Sequence, residues 1–139
     1  MINDTCTSTP VWGALVTLNK PEAQLNTVII RLAGEIGIKA AWTRKLYERR
    51  LVSNIKAALR HQAIPYGVLT RRFGRLYLQT SEAQDASKRL AKVFGISSLS
   101  PALLESSELN AVVEGSVFLA GQRLRKGNSF AVRCRRIGK

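Results

Sequence analysis

Apolar and polar positions divide the chain into a series of short elements. The β-branched run 27–32 predicts a strand. A polar Gly34-Glu35 turn follows, then a helix from about Thr43, the expected N-cap, to about His61, ahead of Pro65. At about 100° per residue, Tyr47, Leu51, Ile55, Ala58 and Leu59 fall within about a third of the helix circle, the arc expected of a packed helix. Residues 66–70 and 76–80 predict two strands, and the polar insert 71–75, with Gly74, predicts a hairpin between them. Ser81 is the expected N-cap of a second helix, with Glu82 and Asp85 near its positive end. On that helix Ala86, Leu90, Val93 and Phe94 share one face and Lys88, Arg89 and Lys92 the other. Gly95 stands where a left-handed C-cap is common. A strand over 96–103, broken by small polar residues and Pro101, comes next. A third helix is expected over 107–124, with Leu109, Val113, Val117, Ala120 and Leu124 on one side, and a last strand over 130–135.

Through Leu103 the predicted order is strand, helix, strand, strand, helix, strand. That is the split βαβ, or ferredoxin-like, arrangement of the α+β class, an antiparallel sheet with two helices on one face. Three regions follow: a Thr/Ser-rich extension over 1–26 with Pro10 and Pro21, a ferredoxin-like domain over 27–103, and the start of another unit over 104–139. One helix and one strand cannot bury a core alone, so the last region is expected either to dock on the domain before it or to be truncated.

Charge changes the picture most. Lys and Arg number 22 against 9 Asp and Glu, a net +13 over 139 residues, spread along the chain. At 45% hydrophobic residues this is a folding chain and not a disordered basic arm. Such a balance fits a nucleic-acid partner. An anionic membrane surface would want a basic helix rimmed with Trp, Phe and Leu, and the long basic helix has only Trp42 before its start. No run of apolar residues is long enough to span a bilayer. The short apolar run 11–18 lacks the basic residue before it that a signal peptide would have, and it reads as an extra strand. Cys6 and Cys134 form no CxxC and have no ligand neighbours. Cys134 alternates with Phe130 and Val132, so a buried thiol is expected. Together these features predict a cytoplasmic protein; its oligomeric state is not readable.

The cations are arranged. Lys45, Arg49, Lys56 and Arg60 gather within about 60° of the long helix, opposite the predicted apolar arc. A column of like charges adds nothing to stability without an anionic partner. The plain alternative is a solvated helix face. Arg71, Arg72 and Arg75 lie around the predicted hairpin tip, where they suit backbone contacts or a solubilising turn equally. Arg123, Arg125 and Lys126 precede a Gly127-Asn128 turn. In the strand after it, Arg133 and Arg135 point away from Phe130 and Val132, and Arg136 follows. Arginine can fork two bonds to one phosphate. Tyr47 and Tyr77 read as core, leaving Trp42 and Phe73 as platforms for base stacking. Few platforms and many cations favour backbone and shape reading of a folded RNA. Catalytic and metal residues are not predicted: His61 reads as a surface residue, Glu35 has no second carboxylate at helical spacing, and no Gly-rich cradle implies a cofactor.

Three blocks carry a family resemblance. Gly34-Glu35-Ile36, Lys39, Thr43-Arg44, Tyr47, Leu51 and Asn54-Ile55 resemble the N-terminal domain of the tRNA sulfurtransferases that make 4-thiouridine, enzymes also linked to thiamine biosynthesis. Val93-Phe94-Gly95-Ile96-Ser97 with Ser100-Pro101-Ala102 resembles the junction into their THUMP domain. The run from Ser129 to Arg136 is similar to the strand that opens the THUMP sheet. The resemblance implies a tRNA-binding module, with 104–139 as the first part of a THUMP-like domain. It also implies a separate ATP-pyrophosphatase or cysteine desulfurase as possible partner. The Ser-Gly-Gly-x-Asp-Ser phosphate loop of that family is missing from the sequence, so the chain as it stands is expected to bind without catalysing. An adaptor that recruits a pyrophosphatase subunit and a generic basic ribosomal protein are the alternatives.

Overall fold

Val28 and Ile30 point to one side of the first strand and find their cover there. In the computed structural model, which describes residues 25–134, the elements run β1 (Thr27–Leu32), α1 (Gly34–Gly37), α2 (Ala41–His61), β2 (Leu69–Arg72), β3 (Arg75–Gln79), α3 (Ala83–Leu90), β4 (Ile96–Ala102) and α4 (Leu109–Arg123). The four strands form one antiparallel sheet in the order β2-β3-β1-β4. β1, the first of the described strands, is thus central, with Ile30 opposite Leu76 on one side and Leu99 on the other. This is the ferredoxin-like order expected from the pattern. Leu51, Ile55 and Leu59 of α2 and Ala83, Ala86 and Leu90 of α3 close over Val28, Ile30, Leu76 and Leu78. Gly95 turns the chain into β4 at φ +95, and a Cβ there would lie 3.3 Å from the Ile36 side chain, so glycine suits both the torsion and the space.

The caps differ from expectation. α2 begins at Ala41, and its N-cap, Ala40, makes no side-chain cap bond. Thr80, not Ser81, serves the start of α3: its Oγ1 accepts from the Glu82 amide at 3.1 Å and donates to the Pro65 carbonyl at 2.6 Å. α3 stops at Leu90, so the helical spacing no longer holds at Phe94, which is 94% exposed.

The hairpin is tighter than read. Its turn is Phe73-Gly74 alone, both left-handed at φ 50 and 71, the pair a two-residue hairpin with matching twist requires. Arg71, Arg72 and Arg75 therefore belong to the strands and not to a tip.

The last predicted strand does not form: residues 128–134 have no regular structure, and Phe130, Val132 and Cys134 are exposed. A strand needs a partner ladder, and no described strand lies beside this one. The expected buried thiol is accordingly a surface one. Cys6, the run 11–18 and the residues after 134 lie outside the described part.

α4 reverses its expected orientation. Its buried residue is Gly115, where a Cβ would come 3.2 Å from Leu103 and 3.3 Å from Glu105. Leu109, Val113 and Val117 face outward and are exposed.

Candidate nucleic-acid interface

α2 buries Glu48, Leu51, Ile55 and Leu59, a stripe at three- and four-residue steps. Tyr47, predicted as core, is about half exposed, because the buried arc centres near Glu48, about 100° further round. This displaces the basic column as well. Lys45, Arg49, Lys56 and Arg60 stand about 60–120° from Glu48, on a flank of the packed face and not opposite it. Trp42, 76% exposed, falls on the same flank. From Trp42 to Arg60 the flank runs about 27 Å at the helical rise. All four cations are exposed, and no carboxylate among the described residues pairs with them.

The hairpin beside α2 divides its arginines between two surfaces, since successive strand residues alternate sides. Arg71 is opposite Leu76 on the helix side, and its guanidinium reaches Glu48 Oε1 at 2.8 Å. That oxygen makes no hydrogen bond, so the contact is a close ion pair without N–H alignment. Glu48 is buried while the Arg71 side chain is 51% exposed. Arg71 is thus already engaged within the fold.

Arg72 turns to the helix-free side, opposite Arg75, which in turn is opposite Arg31 of β1. Three arginines line up across three adjacent strands. Arg31 Nη1 donates to Ser100 Oγ at 2.8 Å and to Ser98 Oγ at 3.3 Å on β4. The sequence reading did not single out Arg31 or Glu48. Arg31 was visible as the polar member of a period-two run, but its neighbours depend on strand register.

The other basic group lies further along the chain. Arg123 ends α4, and Arg125 and Lys126 are exposed in a turn closed by Asn128, whose Oδ1 accepts from the Arg125 amide at 2.8 Å. Arg133 is exposed on irregular backbone, and Arg135 and Arg136 lie outside the described residues. The end of α4 sits by the start of α3: Gln122 and residues 81–85 line one polar pocket of about 270 Å³. That is the end of the sheet away from the β2–β3 hairpin, so the structure does not gather all the predicted residues into one patch. It separates a helix flank, a sheet row and a turn after α4.

Catalytic geometry is not assembled among the described residues. His61 is exposed, and no group of three or more His, Cys, Asp or Glu could hold a metal ion. No described helix is long and apolar enough to cross a membrane.

Residues 27–100 match the ThiI ferredoxin-like domain family. The chain belongs to this family. It is 40% identical over 117 residues to the "Probable tRNA sulfurtransferase" of Methanosarcina acetivorans, covering 84% of this chain and 28% of that one. The protein of the same name from Thermococcus kodakarensis is 37% identical over 118 residues, covering 82% and 31%. A crystal structure from Pyrococcus horikoshii superposes with a TM-score of 0.60 at 32% identity, over 70% of this chain and 31% of that one. This ThiI-family chain thus spans less than a third of the length of these relatives. Since the first match takes in 117 of 139 residues, it cannot end before residue 117, so the likeness continues past the domain into α4.

Proposed function

We propose that this chain is a tRNA-binding module of a 4-thiouridine-type modification system, binding RNA without catalysing in this form. The observation that carries the reading is the α2 flank, a line of about 27 Å of four cations with no carboxylate partner among the described residues, headed by an exposed Trp42, on a domain of the ThiI family. Relatives named tRNA sulfurtransferases make tRNA the RNA of choice. Region 104–139 is the first part of a THUMP-like unit on this reading, and the site is cytoplasmic. Chemistry would come from an ATP-pyrophosphatase or a cysteine desulfurase partner.

A second reading, an adaptor that recruits a pyrophosphatase subunit to tRNA, is favoured by one observation. α4 turns Leu109, Val112, Val113 and Val117 outward, an apolar stripe of the kind that another protein surface covers.

The test is equilibrium binding of the full chain to folded tRNA across a salt series. With roughly 5 phosphates neutralised, log affinity falls against log salt with a slope of about −4. A slope near zero, or equal affinity for tRNA and an unstructured oligonucleotide, would end the RNA-module reading.

A further inference from the structure

We propose that the helix-free face of the sheet is a second RNA surface, distinct from the α2 flank, that takes a stretch of unpaired nucleotides. Arg72, Arg75 and Arg31 would hold its phosphates, and Tyr77 and Phe73 would stack on its bases. The inference rests on the reading of the chain as an RNA binder and adds where, and in what form, RNA is held.

The register builds the face. Directly opposed residues share a side of the sheet, so Arg72, Arg75, Arg31 and Ser98 form one row across four strands. Strands lie about 4.8 Å apart, which puts three guanidinium stems within roughly 10 Å. Like charges directly opposite each other destabilise a sheet. No residue on this face of the four strands is acidic. The Ser98 and Ser100 hydroxyls orient Arg31 but leave its charge in place. The fold does not need the row; an anion lying across it would. Arginine, which can fork two bonds to a phosphate, is the residue suited to that task.

The next row holds Thr70, Tyr77, Ile29 and Ser100. Tyr77 is half-buried there, on the second strand from the edge and two residues from Arg75. It is not enclosed in the core between sheet and helices, where the sequence pattern had put it. An aromatic ring on the face of a four-stranded antiparallel sheet away from α2 and α3, next to arginines, is an arrangement on which unpaired bases stack. Phe73 adds a second ring at the edge. It sits between Arg72 and Arg75 in sequence, 63% exposed, at a left-handed φ of 50 that asparagine or glycine takes with less strain. A bulky ring held mostly in solvent in that conformation extends the stacking surface beyond the sheet. Stacked bases must be splayed out of a helix, so the ligand is single-stranded, whereas the α2 flank, whose one ring is Trp42 at its start and whose length carries cations, suits duplex backbone.

The test uses the full chain and three probes: folded tRNA, a short single-stranded oligoribonucleotide, and a blunt RNA duplex of the same sequence. Arg72→Glu with Arg75→Glu should weaken single-strand binding at least tenfold and flatten its salt slope by about 1.4, while duplex binding changes less than about threefold. Phe73→Ala should weaken single-strand binding about fivefold or more. Lys45→Glu with Arg49→Glu should show the converse preference. If the glutamate pair lowers the melting temperature, Arg72→Gln with Arg75→Gln replaces it. Photocrosslinking of a 5-bromouridine oligonucleotide to the unaltered protein should then label Tyr77 or Phe73. Parent-like single-strand binding by the hairpin variants, or crosslinks confined to α2, overturns the proposal. Binding of tRNA without any binding of the oligonucleotide overturns it too, yet leaves the RNA-module reading standing. Absence of tRNA binding by the parent overturns both.

Discussion

Arg71 offers a sharp test of what the structure adds, because it was read as an RNA contact and is found against Glu48. Replacing Arg71 with Ala leaves a buried carboxylate without its cation. Breaking a fully buried pair costs about 3–5 kcal/mol, but Arg71 is half exposed and water reaches it, so about 2 kcal/mol is the better figure. For 110 described residues, at about 2.1 cal/mol/K each, that lowers the melting temperature by about 9 °C. Removing both charges with apolar residues of similar size, Glu48→Met with Arg71→Met, should restore the parent melt or raise it. Circular-dichroism melts of the parent, the two single variants and the double variant give the coupling between the two sites directly. Affinity for tRNA, measured on the same samples, should fall less for Arg71→Ala than for Arg49→Ala. If Arg71→Ala melts within about 1 °C of the parent and binds tRNA as weakly as Arg49→Ala, Arg71 is a contact and the ion pair is incidental.

Charge reversal at Lys45 and Arg49 should flatten the tRNA salt slope by about two and leave stability within about 0.5 kcal/mol, as paired binding curves and melts would show. Ile55→Ala, at a fully buried position of α2, should cost about 3 kcal/mol; a loss under 1 kcal/mol in denaturant titration would mean that α2 is not clamped to the sheet. Val113→Lys on the outward side of α4 should melt with the parent, and a fall of more than about 5 °C would show that this stripe is packed in solution. Incubated alone with tRNA, ATP and a sulfur donor, the chain should give no thiolated uridine; product above an inactive control contradicts the non-catalytic reading.

The sheet and its two helices were legible because period-two and 3.6-residue patterns in residues 27–102 agree with the burial they produce. Val28, Ile30, Leu51, Ile55, Leu59 and Leu90 all lie in the core. The misreadings share a cause: a pattern was extended past the point where tertiary structure supports it. Phe94 was projected on a helix that ends at Leu90, and residues 130–134 alternate like a strand without a partner ladder. Tyr47 drew the apolar arc toward itself because an acidic residue, Glu48, was not expected at its centre. The cation column on α2 was visible from spacing, but its position on a flank depends on that same arc. The row of Arg72, Arg75 and Arg31 joins residues more than 40 positions apart, and pairing register alone brings them together.

The position of β1 has a consequence for synthesis. Of the four described strands the one made first is the central one, and it pairs with β3 and, across roughly 70 residues, with β4. Its β3 edge stays open until Gln79 has cleared the exit tunnel and its β4 edge until Ala102 has, because an antiparallel sheet gains nothing from a strand not yet made. During that interval the TVIIRL segment is an apolar, β-branched edge on a nascent chain, the kind of segment that seeks another strand. Its single charge, Arg31, works as a gatekeeper in that interval. The arginine that lies in the basic row of the finished domain would thus also protect the unfinished one from aggregation.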